Sequence, residues 1–177
     1  IIPLALLKPD FPSVHTLCGS YHFQFCVFDR FRQLIGSMGL TSSVGLGVSL
    51  LNPDRETVIL EGDGSALMSM GTLALIASEA PANLIHIILD NESYESTGAQ
   101  PTISSKIALD DIAGAAGYQS VHRVDDSEGI KTEIAACKTS PGPHLILVKC
   151  GIAPVPGIGR VDLTAVEIRD RFSAHLG

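Results

Sequence analysis

The stretch TVILEGDGSALM, residues 57–68, joins a short apolar run to a glycine-rich turn and then to a helical pattern. Residues 57–60 are β-branched or apolar throughout, which is typical of a strand buried on both faces of a parallel sheet. Gly62-Asp63-Gly64 follows almost at once, and apolar residues at helical spacing predict a helix over 65–80. A strand, a glycine turn and a helix in this order predict a βα unit.

The same alternation continues toward the C-terminus. The sequence predicts further strands over residues 84–89, 118–124 and 144–149 and further helices over residues 40–51, 109–116 and 127–138, with Ser127 as the last helix's N-cap. This order predicts an α/β domain with an open parallel sheet and helices on both faces. A C-terminal helix over 163–176 is predicted after a linker rich in Pro and Gly, whereas residues 21–34 suit either a strand or a short helix.

Composition excludes several classes of protein. The net charge is −7 and the 12 Lys and Arg residues are scattered, which argues against nucleic acid as a partner. No apolar stretch is long enough for a transmembrane helix, so no membrane association is expected. The four cysteines form no CxxC pair, which favours isolated thiols in a reducing compartment, and we expect a cytoplasmic protein. Because the chain begins with Ile, we interpret it as a fragment or a processed piece.

Polar loops follow two of the predicted strands at their carboxyl ends. Asp63 lies in the first loop, and Asp90 and Asn91 begin the second. Ligands of open parallel sheets bind at this edge, and magnesium prefers one or two carboxylates together with phosphate oxygens. Gly62 and Gly64 allow a phosphate to approach the backbone closely. The alternative is a tight βα turn in which Asp63 only caps the following helix.

The spacing of the two loops resembles a known signature. Residues 65–89 separate the GDG motif from Asp90-Asn91. Enzymes that use thiamine diphosphate (ThDP) carry GDG, about 25 residues, and a pair that ends in Asn. The resemblance implies that the Asp63 and Asn91 side chains and the Ser93 carbonyl are the magnesium ligands. It further implies that the cofactor is bound by Gly62, Gly64, Ser65 and Tyr94.

A third segment, Gly36-Ser37-Met38-Gly39, is similar to the turn that lies under the cofactor's pyrimidine ring in this family. The resemblance implies that Gly36 and Ser37 belong to the cofactor site and that the Gly36 carbonyl accepts from the pyrimidine's amine. Met38 would be the apolar side chain that bends the cofactor. On its own, Met38 suits an ordinary core position equally well.

The runs GSMGL, GDGSALM, LDNESY and STGAQPT look most like the branch of sulfopyruvate and phosphonopyruvate decarboxylases. The resemblance extends from about Gly36 to the end. It divides the chain into a divergent segment, 1–35, a diphosphate-binding domain, 36–151, and a linker with a C-terminal helix, 152–177.

The resemblance also implies what this chain lacks. Family members activate ThDP with a Glu on a separate pyrimidine-binding domain, and no segment here matches it. We therefore expect no catalytic residue in this chain, and an alpha-type partner subunit that supplies the Glu. The implied substrate is a small anionic 2-oxo acid, with sulfopyruvate converted to sulfoacetaldehyde and carbon dioxide. The alternatives are a phosphonopyruvate decarboxylase or acetolactate synthase-like fragment, and a non-catalytic assembly subunit.

Overall fold

A parallel sheet forms the centre of the chain. The computed structural model describes residues 15–18, 31–33, 38–152 and 163–176. Its strands are, in chain order, β1 (His15–Cys18), β2 (Phe31–Gln33), β3 (Thr57–Gly62), β4 (Leu84–Asp90), β5 (Ser93–Tyr94), β6 (Gln100–Pro101), β7 (Ser120–Val124) and β8 (His144–Lys149). Six of them form the main sheet of the described residues in the order β2-β1-β3-β4-β8-β7, and every neighbouring pair is parallel.

The helices cover both faces of this sheet. They are α1 (Thr41–Leu51), α2 (Asp63–Met68), α3 (Gly71–Glu79), α4 (Leu109–Ala116), α5 (Ser127–Cys137) and α6 (Ala165–Leu176). On one face, Ile130 and Ile134 of α5 pack against a layer that includes Ile87. On the other face, α1, α3 and α4 pack against a layer that includes Ile59 and Ile88. The predicted fold class, an open parallel α/β sheet with helices on both faces, is confirmed.

Three local predictions differ from the structure, besides shifts of one or two residues at the ends of other elements such as β7 and α6. The single helix predicted over 65–80 is two helices, because Ser69 leaves the helical conformation and its hydroxyl donates to the Gly39 carbonyl. The loop predicted from Asp90 contains the β5–β6 ribbon and a 3₁₀ turn, Glu95–Thr97. The N-cap of α5 is Asp126 rather than Ser127, since the Asp126 carboxylate accepts from the Gly129 N–H at 2.7 Å.

The N-terminal segment contributes to the main sheet. β1 pairs with β3, and β2 pairs with the outer side of β1. Of the segment with two possible interpretations, residues 31–33 form a strand, whereas residues 21–30 and 34 lie outside the described part. The predicted linker, residues 152–159, lies outside it as well, except for residue 152. None of the helices that the structure describes has the length and apolar character needed to cross a membrane.

Candidate cofactor and metal site

The ends of β3 and β4 bring the two polar loops together. The strands are adjacent and Gly62 pairs with Leu89, so Asp63 and Asp90 both lie at the carboxyl edge of the sheet. The Ser104 hydroxyl lies between them, 3.0 Å from Asp63 Oδ2 and 2.7 Å from Asp90 Oδ1. Because a hydroxyl carries one proton, it donates to only one carboxylate at a time. The arrangement concentrates negative charge at this edge.

Asp63 is buried and hydrogen-bonded. Thr102 Oγ1 donates to Asp63 Oδ2 at 2.5 Å, and the Ser104 hydroxyl binds the same oxygen. The Gly64 backbone also makes a hydrogen bond with this carboxylate. Burial raises the pKa of the Asp63 carboxyl, the hydrogen bonds from Thr102 and Ser104 act to lower it, and the charge of Asp90 adds to the rise. A divalent cation beside the carboxylate would stabilise the ionised form.

The second loop presents two more oxygens. The Asn91 amide donates to Glu95 Oε2 at 2.9 Å, and its oxygen accepts from the Ser93 N–H at 3.1 Å, which leaves one lone pair. Ser93 lies opposite Pro101 in the β5–β6 ribbon, and proline has no N–H to offer the Ser93 carbonyl. The Ser93 hydroxyl is buried without a hydrogen-bond partner. Asn91 and Ser93 thus retain acceptor capacity for a ligand.

Met38, Gly64 and Tyr94 come together beside these loops. A Cβ on Gly64 would lie 2.6 Å from Tyr94 Cδ1 and 3.2 Å from Met38 Cε, so only glycine fits beneath these side chains. The structure thus brings together three residues assigned to the cofactor on separate segments of sequence. Gly36 and Ser37 lie outside the described residues.

The donor set fits a hard cation shared with a diphosphate. It comprises one carboxylate oxygen, one amide oxygen and one backbone carbonyl, and magnesium typically completes such a set with phosphate oxygens and water. Within the described ranges, no group of three or more His, Cys, Asp and Glu side chains is arranged to hold a metal. A cation here would therefore depend on Asn91, on the backbone and on oxygens of a bound ligand.

Several residues of this region have no local sequence signal. Lys149 lies at the end of β8, and its ammonium contacts Asp90 Oδ2 at 2.9 Å and Glu92 Oε1 at 2.6 Å. Burial acts to lower the pKa of Lys149, but these hydrogen bonds outweigh it and raise the pKa. Thr102 falls within the STGAQPT run, whereas Ser104 and Lys149 are recognised only from the structure.

Comparison with known proteins identifies the domain. The family model described as "Thiamine pyrophosphate enzyme, C-terminal TPP binding domain" matches residues 15–148. The chain is 37% identical over 175 residues to a phosphonopyruvate decarboxylase of Streptomyces viridochromogenes, covering 98% of this chain and 44% of that protein. It is 41% identical over 143 residues to the sulfopyruvate decarboxylase subunit beta of Methanothermobacter thermautotrophicus, covering 81% of this chain and 74% of that subunit.

Solved structures show the same fold. Benzoylformate decarboxylase from Polynucleobacter necessarius superposes with a TM-score of 0.63 at 18% identity, over 84% of this chain and 32% of that one. The chain spans less than half the length of the Streptomyces protein. Taken with the family match, these findings show that the chain belongs to the thiamine pyrophosphate enzyme family and carries its C-terminal cofactor-binding domain.

Proposed function

We propose that this chain is the diphosphate-binding part of a magnesium-dependent 2-oxo acid decarboxylase that converts sulfopyruvate to sulfoacetaldehyde and carbon dioxide. The observation that carries the proposal is the buried Asp63 carboxylate, which Thr102 and Ser104 hold at the carboxyl edge of the sheet beside Asp90. The 41% identity to a sulfopyruvate decarboxylase subunit beta supports this substrate. Phosphonopyruvate is the second candidate. The similarity to the phosphonopyruvate decarboxylase covers 98% of this chain, whereas the similarity to the sulfopyruvate decarboxylase subunit covers 81%.

The chain's own residues would bind and orient the cofactor. Asp63, Asn91 and the Ser93 carbonyl would hold the magnesium ion, while the Gly62–Gly64 backbone would approach the diphosphate. Met38 and Tyr94, in contact range of Gly64, would limit the shapes that the bound cofactor can adopt. When bound, ThDP supplies the electron sink that allows a 2-oxo acid to lose carbon dioxide.

A partner is part of the proposal. The similarity to a subunit named beta suggests a pyrimidine-binding subunit that contributes the activating Glu. In the relative of about twice this length, the same domain would be part of one longer chain. In either case the small anionic substrate would bind where the two domains meet.

The test is a cofactor-binding and product assay on the complete protein, co-expressed with its partner where one exists. Sulfopyruvate, phosphonopyruvate and pyruvate are each assayed for aldehyde and carbon dioxide. We expect Asp63→Ala to weaken magnesium-dependent ThDP binding about 100-fold or more, because it removes a direct ligand. Asp54→Ala, an exposed carboxylate at the other end of the sheet, is the control. Unchanged binding in Asp63→Ala would refute the metal assignment, and no aldehyde from any substrate would refute the decarboxylase.

A further inference from the structure

A buried network of polar side chains crosses the sheet beside the candidate site. Glu61 on β3, His86 on β4 and Tyr118 just before β7 are 0%, 0% and 7% exposed. His86 Nε2 lies 2.8 Å from Glu61 Oε1, and His86 Nδ1 lies 3.1 Å from the Tyr118 hydroxyl. Buried polar groups of this kind are costly unless each is hydrogen-bonded, and here each one is.

The hydrogen bonds of this polar network converge on Glu61. Burial, with a smaller effect from the charge of Glu61, raises the pKa of Tyr118, so its hydroxyl keeps its proton and can donate to His86 Nδ1. The other ring nitrogen then donates to Glu61 Oε1. Ser65 Oγ donates to the second carboxylate oxygen, Oε2, at 2.6 Å. With this assignment of the His86 tautomer, Glu61 accepts on both oxygens.

Ser65 links this polar network to the Met38–Gly39 turn. Its oxygen accepts from the Gly39 N–H at 3.1 Å, in a buried hydrogen bond between segments 26 residues apart. The Ser69 hydroxyl donates to the Gly39 carbonyl, so the turn is held at both backbone groups. Gly39 has φ +87°, and a Cβ there would lie 2.9 Å from Met68 Cβ. The turn is thus fixed directly onto α2.

We propose that Glu61 is a positioning residue that, with His86 and Tyr118, sets the spacing between the two halves of the cofactor site. Glu61 accepts a hydrogen bond from the Ser65 hydroxyl, and the Ser65 oxygen in turn accepts from the Gly39 N–H. This fixes the Met38–Gly39 turn relative to the Gly62–Gly64 turn. The inference rests on the proposed function, in which the first turn faces the pyrimidine and the second faces the diphosphate.

One consequence concerns Ser65 itself. Its hydroxyl proton is committed to Glu61, so we infer that Ser65 approaches a diphosphate through its backbone N–H and not through its hydroxyl. Removing the Ser65 hydroxyl should then disturb the placement of the Met38–Gly39 turn but not the binding of phosphates. This separates a positioning role from direct phosphate recognition.

The experiment compares two ligands in the complete protein, with its partner where one exists. Calorimetry measures the affinity for ThDP and for inorganic pyrophosphate, each with magnesium. Glu61→Gln and Ser65→Ala should weaken ThDP binding about tenfold and change pyrophosphate binding less than about twofold. Ser49→Ala is the matched control, because Ser49 is a buried serine that donates to Asn83, away from the site. It should change neither affinity.

The possible results separate the two proposals. If the wild-type protein binds neither ligand, the proposed function is wrong and the positioning role falls with it. If the wild type binds both and the variants lose neither, or lose both equally, the function stands and the inference is overturned. Hydrogen exchange of the segment containing Gly39 gives a second measurement in Ser65→Ala, a variant that keeps the Glu61 side chain. Exchange there should become faster, and unchanged protection would also overturn the inference.

Discussion

Gly64 is the residue at which the site is most closely packed. The Tyr94 ring lies against it, and an added Cβ would come within 2.6 Å of two ring carbons. We expect Gly64→Ala to displace Tyr94 and weaken ThDP binding about tenfold or more, since the displaced ring contacts the proposed cofactor site. Calorimetry with ThDP and magnesium measures the change.

Gly47→Ala is the control for that substitution. Gly47 lies within α1, and a Cβ there meets no atom within 4 Å. The alanine should leave cofactor affinity unchanged and stabilise the fold by about 0.5–1 kcal/mol through its higher helix propensity. Equal losses of affinity in both variants would show that the contact with Tyr94 is unimportant.

Thr102 acts on the ionisation of Asp63. Its hydroxyl makes one of three hydrogen bonds that lower the pKa of this carboxyl against the effect of burial. Thr102→Val removes that bond, so the pKa should rise further and protons should compete with magnesium up to higher pH. We expect the pH midpoint of magnesium-dependent ThDP binding to move upward in a titration. Thr72→Val, which removes a buried hydroxyl paired with Ser43, should leave the midpoint unchanged.

At the scale of elements, the N-cap of α5 is Asp126 in the structure, whereas the sequence predicted Ser127. Asp126 accepts from the Gly129 N–H, whereas Ser127 is the first helical residue. Asp126→Ala should destabilise the protein by about 1 kcal/mol, and Ser127→Ala by much less. Urea unfolding of both variants measures this, and equal effects would contradict the assignment of the cap.

The ion pair between Asp110 on α4 and Arg123 on β7 makes the unfolding free energy depend on pH. Two hydrogen bonds from Arg123, at 2.5 and 2.7 Å, lower the pKa of Asp110. A carboxyl with a depressed pKa in the folded state stabilises the protein above its unfolded pKa, about 4, and loses that contribution as pH falls through the folded value. Asp110→Asn should cost under about 1 kcal/mol at pH 7, because the Arg123 side chain is 50% exposed. In unfolding measurements, the difference from wild type should shrink as the pH falls below about 4, where the unfolded carboxyl is protonated.

For the molecule as a whole, stability depends on the two layers of core on either side of the sheet. Ile87 and Ile88 are adjacent on β4, are 1% and 0% exposed, and point into opposite layers. Each substitution to Ala should therefore cost about 2–5 kcal/mol in unfolding free energy. Leu51→Ala, at a side chain 83% exposed, should change it by less than about 0.5 kcal/mol. A small loss for either isoleucine would contradict a sheet that is covered on both faces.

Local pattern predicted most of the elements. The helix over 109–116 and the strand over 144–149 have the expected bounds because their patterns are uninterrupted. The break between α2 and α3 was not predicted, because the apolar pattern continues through it and Ser69 turns away to reach Gly39, 30 residues earlier. His86 lies within an apolar strand pattern and has no sequence signal of a polar network. It is buried, and its partners Glu61 and Tyr118 lie 25 and 32 residues away along the chain.

The sequence by itself determined the fold class, the family and the two loops that the site is built from. These follow from short-range information, namely apolar periodicity, glycine placement and the spacing between two motifs. Only the tertiary structure decided which hydroxyls hold Asp63, that Lys149 contacts Asp90, and that Glu61 reaches Gly39 through Ser65. Lys149 reaches Asp90 because the strand order places β8 beside β4, although the two residues are 59 positions apart in sequence. Thr102, Ser104 and Gly39 also contact residues 26 to 41 positions away, which no local pattern encodes.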